Sequence, residues 1–338
     1  MPEAKYYNAL NLLYRGDYLK LQKAQEKFQS WKKAFKNERA EIDIENEWGK
    51  LQNLDITLLL KENPLYPELL KEIPLPPFGI YVLGNLSYEK PAIAIVGTRN
   101  ATPQGKDLAK IFSEKLSRSG MTIVSGLAIG IDEFSHKGAL EGGAKTIAVL
   151  GTPLNHIYPK HNEQLAKNIL ESGGAIISEF PLDNSYRKDN FLIRNRIISG
   201  LANASLIIEA PERSGSLATA RFALEQNREV FVIPGNINAP NYKGSNALIK
   251  AGATPVTEPE DILNYFGIDA NKTASPESQA GNPEEEKILN AFKKEEKLTI
   301  EQLLEATDKD LNNLNKNLAM LTIKGIIKES NGKYYLNN

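Results

Sequence analysis

The chain has 338 residues, about two domains at roughly 150 residues each. With 41% apolar and 25% charged residues it has the composition of an ordinary folded protein rather than a disordered or fibrous one. Its 41 basic and 42 acidic residues leave a net charge of −1, which argues against coating nucleic acid through an overall field, so any anion site must be local. Zero cysteines exclude disulfides, thiolate chemistry and Cys-ligated metal, and three histidines leave little for histidine catalysis.

Residues 1–39 carry nine Lys/Arg against four Asp/Glu, and residues 40–89 carry three against nine. Helical spacing of Leu10, Leu13, Leu19, Ala24, Phe28, Trp31 and Phe35, broken at Arg15-Gly-Asp17, predicts two or three short helices within 6–37. We therefore read 1–61 as an N-terminal helical, SAM-like module with an acidic connector. The proline-rich 62–78 is an ordered crossing segment.

From 79 to 267, short β-branched runs at 79–83, 92–96, 121–124, 146–150, 174–178, 205–209, 229–233 and 253–256 alternate with helical spacing at 104–117, 131–140, 162–170, 216–226 and 259–266. Strands too uniformly apolar to have a wet face imply a sheet covered on both sides. The fold class expected for 62–268 is α/β, a doubly wound, mostly parallel Rossmann-like sheet. Residues 269–283 read as a flexible linker. Three helices and a hairpin turning at Asn331-Gly332 make 284–338 a winged-helix domain. No run approaches the roughly 18 apolar residues of a membrane span, and Met1-Pro-Glu-Ala-Lys lacks a signal pattern, so a cytoplasmic protein without a membrane partner is expected.

In open α/β sheets ligands sit beyond the carboxyl ends of the strands, near helix N-termini. After the strand at 92–96, Gly97-Thr-Arg99 leads to Thr102, a good N-cap, and Pro103 at the first helical position. This turn offers backbone N–H groups, the Thr98 hydroxyl and the Arg99 guanidinium to one anion. A dinucleotide fingerprint fails because the G-x-G-x-x-G pattern is missing, and a P-loop fails at Asn100 and Asp107. A second such turn carries Ser214-Gly-Ser216, where small residues let a backbone approach closely, and an ordinary capped turn is an equal reading.

The densest signal is Tyr186-Arg-Lys-Asp-Asn-Phe-Leu-Ile-Arg-Asn-Arg196, four cations and one acid around Phe191. Cations neutralise phosphates while a ring stacks bases of any sequence. The competing reading puts Phe191, Ile193, Ile197 and Ile198 in the core and pairs the arginines with acids such as Glu179 or Glu209. Ile197 and Ile198 fit the core, and Phe191 fits either. Lys243 adds a charge on the same rim. No catalytic site emerges: His136 reads as a locally bonded helix residue, His156 and His161 are badly spaced for a metal, and Asp132 and Glu133 suit a helix start. We expect no enzyme, metal or cofactor.

Gly97-Thr-Arg99, Ser125-Gly-Leu-Ala-Ile-Gly-Ile-Asp-Glu-Phe-Ser-His136, Gly151-Thr with Tyr158-Pro159, Ser178-Glu179, Phe191-Leu-Ile-Arg-Asn-Arg-Ile-Ile-Ser-Gly200, Ser214-Gly-Ser216 and Val232-Ile-Pro-Gly235 stand in the order seen in the DNA-processing protein A (DprA/Smf) family, which the chain resembles over about 62–266. The resemblance implies an extended Rossmann-like domain that binds single-stranded DNA, acts as a homodimer, protects incoming DNA and loads RecA recombinase during natural transformation and recombination. It implies phosphate contacts at Arg99 and Lys188 and a base contact at Phe191. Gly97, Thr98, Arg194, Asn195, Arg196, Ser214, Gly215, Ser216 and Lys243 complete the expected DNA-binding set, and Ala247, Leu248, Ile249 and Val256 the dimer interface. Where many members carry a Pro-Gly hairpin in the N-terminal module, this chain has Tyr14-Arg-Gly-Asp17, and Leu192 stands where proline often follows the phenylalanine. Asp308, Asp310 and neighbouring asparagines suit protein contact or regulation better than duplex reading. The alternatives are a nucleotide sensor or nucleoside monophosphate hydrolase using Glu212 or Glu179, and a winged-helix transcription factor with a sensory domain.

Overall fold

The computed structural model describes residues 2–38, 41–86, 91–185, 187–268, 283–292, 297–307, 311–323, 326–330 and 332–336. Tyr186, residues 269–282 of the expected linker, Asp308, Asp310 and the turn residue Asn331 lie outside the described residues. The chain divides into two compact units, Met1–Gly267 and Ile268–Asn338.

The first unit opens with helices α1 (Pro2–Leu13), α2 (Tyr18–Phe28) and α3 (Trp31–Glu38), with Arg15 and Gly16 at positive φ where the spacing breaks. The stretch read as an acidic connector is structured. Asp43 caps α4 (Ile44–Asn53) by accepting from Glu45 and Asn46, Glu45 and Glu47 sit in its first turn, and strand β1 (Thr57–Leu60) follows. Its acids are placed where a helix dipole favours them. These helices belong to the same unit as the sheet. Asn11 Nδ2 on α1 donates to the Tyr81 hydroxyl at 3.3 Å and to the Glu179 carbonyl at 3.1 Å, and the Tyr81 hydroxyl donates to Asn8 Oδ1 at 2.8 Å. Burial pushes the Tyr81 phenol well above its usual range, so it remains a neutral donor.

After the single-turn α5 (Glu68–Lys71) come β2 (Gly79–Gly84), β3 (Ala92–Val96), α6 (Pro103–Arg118), β4 (Thr122–Ser125), α7 (Ile131–Gly142), β5 (Thr146–Leu150), α8 (Glu163–Glu171) and β6 (Ala175–Ser178). Then follow α9 (Lys188–Gly200), β7 (Ala204–Ile207), α10 (Ser216–Glu225), β8 (Glu229–Val232), α11 (Lys243–Lys250), β9 (Thr254–Pro255) and α12 (Pro259–Tyr265). All eight strand runs seen in the sequence from 79 onward form strands. Their order is β1-β2-β6-β5-β4-β3-β7-β8-β9, parallel from β6 to β9, with β1 and β2 antiparallel at one edge. Every residue of β3 and β5 is buried, as a sheet covered on both faces requires. The chain runs outward from β3 through β4, β5 and β6, then returns through α9 to β7 on the other side of β3. The direction of winding therefore reverses between β3 and β7.

The second unit contains α13 (Pro283–Ala291), β10 (Lys297–Thr299), α14 (Ile300–Thr307), α15 (Leu311–Ile323), β11 (Ile327–Ser330) and β12 (Lys333–Leu336), with strands ordered β10-β12-β11. Three helices and the β11–β12 hairpin stand where the sequence showed helical spacing and a turn, and β10 adds a third strand. Ile288, Leu289, Phe292, Leu303, Leu318 and Leu321 are in its core. Among the described residues no helix is long and apolar enough to cross a membrane.

Candidate nucleic-acid interface

A reversal of winding leaves a crevice beyond the carboxyl ends of the two strands that flank it. Here those ends lead into Gly97-Thr-Arg99 after β3 and Pro211–Ser216 after β7. The first turn is sewn down. The Thr98 N–H donates to the Glu209 carbonyl at 2.8 Å, the Asn100 N–H donates to the Thr98 hydroxyl at 3.2 Å, and Thr98 is buried. Thr102 caps α6 as expected, its hydroxyl accepting from the Gly105 N–H at 3.0 Å.

Glu209 changes the reading of that turn. Fully buried, its carboxylate accepts from the Thr102 N–H at 3.0 Å, from the Thr102 hydroxyl, and from Asn241 Nδ2 at 3.2 Å. A Cβ on Gly105 would meet it at 2.4 Å. The N-terminus of α6 is thus already occupied by an internal carboxyl group. The α6 N-terminus is therefore not open to a ligand, which corrects the expectation drawn from the motif, and the Thr98 hydroxyl accepts a hydrogen bond within its own turn. What the turn presents is the exposed guanidinium of Arg99.

Helix α9 delivers the densest motif with its cations sorted by depth. Lys188, at the first helical position, is exposed, and Phe191 is half-buried. The Arg99 guanidinium carbon lies 5.4 Å from the centroid of the Phe191 ring. The ring is seated against Gly151, where a Cβ would meet Phe191 Cδ1 at 2.8 Å. Arg194 is buried: Nη1 donates to the carbonyls of Gly126, at 2.8 Å, and Val149, and Nε donates to Asn195 Oδ1 at 3.2 Å. Burial lowers its pKa to about 10, against the opposing pull of Asp132, so it stays charged at neutral pH. Arg196 is committed elsewhere, in a two-pronged buried ion pair with Glu179 at 2.7 and 2.8 Å, and is withdrawn from any ligand. Asn195 Nδ2 donates to the Gly215 carbonyl at 3.1 Å, tying α9 to the second turn.

Lys188, Phe191, Arg194 and Asn195 of α9 and Gly97, Thr98 and Arg99 come together with Ser214, Gly215 and Ser216 to line one groove of about 420 Å³. Gly215 is exposed and a Cβ there would touch nothing within 4 Å, so a bulky ligand can approach the start of α10. The Ser214 and Ser216 hydroxyls lie 2.7 Å apart. Two charged lining residues stand outside the expected set. Arg213 is a third exposed cation, hidden in the motif by the smaller residues after it. Asp132 is buried beneath the groove and accepts from the Gly126 N–H at 3.1 Å. Burial raises its pKa, while Arg194 and the N–H groups of Gly126 and Ala128 pull the other way.

Other expected residues fall outside this groove. Lys243, read as a loop residue, is the first residue of α11; it is exposed and follows Tyr242, beside the hydrogen bond from the Gly244 N–H to the Ala210 carbonyl at 2.9 Å. Of the expected dimer residues, Ala247 is exposed while Leu248 and Ile249 are half-buried against the core. Val256 is only 1% exposed, with its N–H donated to the Val232 carbonyl, so it serves this chain's own core rather than a partner. Glu179 is spent on Arg196, and Glu212, although exposed, does not line the groove, which leaves the hydrolase reading without the acid assigned to it. His136 is fully buried, hydrogen-bonded through Nδ1 to the Thr146 hydroxyl at 2.8 Å, and burial holds its pKa down at about 3. Among the described residues no group of three His, Cys, Asp or Glu side chains is placed to hold a metal ion.

A larger cleft of about 960 Å³ lies between the N-terminal helices and β1, but Glu3, Asp55 and Glu62 line it together with Trp31 and Trp48, and no Lys or Arg does. The exposed Lys and Arg side chains gather at the smaller groove instead.

The same part of the chain is similar to known proteins. The chain is 43% identical over 252 residues to Protein Smf of Escherichia coli, covering 74% of this chain and 67% of that one. It is 41% identical over 202 residues to DNA processing protein DprA of Streptococcus pneumoniae, covering 60% of this chain and 71% of the relative. The X-ray structure of DNA processing protein A from Streptococcus pneumoniae superposes with a TM-score of 0.62 at 35% identity, over 69% of this chain and 80% of that one. A structure reported for the single-stranded DNA binding mode of DNA processing protein A from Helicobacter pylori superposes with a TM-score of 0.56 at 29% identity, over 63% and 96% of the two chains. The match to the family described as DNA recombination-mediator protein A covers residues 57–267, which is the sheet and groove just described, and the chain belongs to that family.

Proposed function

We propose that this protein binds single-stranded DNA in the groove between β3 and β7, without sequence preference and without chemistry on the strand. The observation that carries this reading is the grouping of exposed Arg99, Lys188 and Arg213 around the ring of Phe191, with the open start of α10 alongside. Cations neutralise phosphates and the ring stacks a base. The binding mode reported for the Helicobacter pylori relative supports the same substrate. Gly97, Thr98, Asn195, Ser214, Gly215 and Ser216 shape the groove, and Lys243 extends the track along the rim.

The family's description as recombination mediators supports a further role, protecting incoming strands and loading RecA recombinase onto them during transformation and recombination. A homodimer through Ala247, Leu248 and Ile249 of α11 fits exposed apolar side chains elsewhere on the unit, namely Ile237 at 80% and Tyr265 at 57% exposure. We assign the winged-helix role to the second unit and expect it to contact protein.

The test is fluorescence anisotropy with a labelled single strand across a salt series. Log affinity should fall with log salt at about −0.7 per phosphate contacted, and Lys188→Ala should reduce the slope by about one contact. Salt-independent binding, or an unchanged Lys188→Ala protein, would sink the proposal.

A further inference from the structure

The Phe191 ring has a second side. Arg99, Ala128, Phe191 and Arg194 line the phosphate groove and also a smaller recess behind it, so Phe191 and Arg99 form a ridge between the two. Beyond the ridge the chemistry changes. The recess is walled by Ile129, Tyr158 and Pro159 rather than by lysine or a helix start.

Tyr158 is 39% exposed and Ile129 47% exposed, so apolar surface lies beside the cationic rim. Both are presented by anchored loops. Around Ile129, Asn162 Nδ2 donates to the Leu127 carbonyl at 2.9 Å, the Glu133 N–H donates to the Ala128 carbonyl at 3.1 Å, and Gly130 turns at φ +90° against the Thr98 carbonyl. Before Tyr158, the Thr152 hydroxyl donates to the His156 carbonyl at 2.7 Å. These loops follow β4 and β5, so the recess lies on the same carboxyl rim as the groove.

The Tyr158 and Phe191 rings stand 5.4 Å apart at 51°. Two rings tilted this far cannot continue a parallel base stack. They can each take one base face, which would splay successive bases apart. Only an unpaired strand can open its bases this way, whereas a duplex holds them stacked and paired.

Building on the single-strand reading above, we propose that Tyr158 and Ile129 form a second base-binding wall. It takes the nucleobase next to the one on Phe191, so that the two rings select unpaired DNA by splaying neighbouring bases. Phosphates stay with Arg99, Lys188 and Arg213, and Tyr158 contributes through bases alone.

The experiment uses the full chain, with anisotropy on an oligothymidylate and on a strand of equal length carrying abasic residues, each across a salt series. Tyr158→Ala should weaken binding of the oligothymidylate by about tenfold with the salt slope unchanged, and leave the abasic strand's affinity as in the wild type. Tyr158→Phe should restore wild-type binding, because the ring rather than the hydroxyl carries the contact. Equal loss on both strands would mark a structural role and overturn the proposal, as would no loss on either. A wild type whose binding does not depend on salt would instead overturn the single-strand reading itself.

Discussion

Arg99, Arg194 and Arg196 illustrate how much of a charged motif is decided by depth. Sequence reading ranks them by spacing, but the structure exposes Arg99 and buries the other two against carbonyls and Glu179. Nothing in the alternation of residues announces which arginine will meet a carboxylate brought from the bend after β6, 17 positions earlier. Opposite consequences follow for substitution. Arg196→Ala strands a buried carboxylate and should destabilise the fold by about 3–5 kcal/mol in denaturant titration. Arg99→Ala should leave the unfolding midpoint nearly unchanged and reduce single-strand affinity and its salt slope. His136 gives a pH signature. Its folded pKa of about 3 lies below the ordinary histidine value of about 6.5, so the unfolded chain binds the extra proton between the two. Stability from this residue is therefore present above about pH 6.5 and is lost as pH falls, at up to about 1.4 kcal/mol per unit. Thermal midpoints measured from pH 7 to 4 should fall less in His136→Gln than in the wild type.

At the scale of elements, the strands from β2 to β9 were the legible part, because buried strands of a doubly covered sheet are short apolar runs. Helix α9 was not legible. Residues Arg194 to Gly200 are all buried, so no amphipathic stripe marks it. Strand β1 was hidden in an acidic stretch for a similar reason, having one exposed residue in four. The cap at Thr102 was legible from the Thr-Pro pair, whereas the buried Glu209 beneath it was not, since its partners come from 32 and 107 positions away. Thr102→Ala removes the cap and a donor to that carboxylate, and should lower stability by about 1–2 kcal/mol by calorimetry. Gly130→Ala should be worse than an ordinary loop change. Its φ of +90° is strained for any side chain, and a Cβ would lie 2.5 Å from the Thr98 carbonyl, so the Arg99 turn must shift. Both stability and single-strand binding should fall in that variant.

For the whole molecule, the net charge of −1 conceals a distribution rather than describing a neutral surface. Exposed cations meet at one groove on the rim, and the acid that lines it, Asp132, is buried. The N-terminal helices belong to the unit that holds the groove, through Asn8, Asn11 and Tyr81, so residues 1–267 should fold alone and keep the full salt slope of single-strand binding. Loss of binding on removing 268–338 would assign part of the track to the second unit. The most direct measurement is a competition between matched single and double strands for the full chain, followed by anisotropy at constant salt. A single strand should displace the duplex with at least tenfold preference, and Lys188→Ala should weaken it. Equal displacement by the duplex would contradict a groove built from an aromatic ridge among phosphate-binding cations.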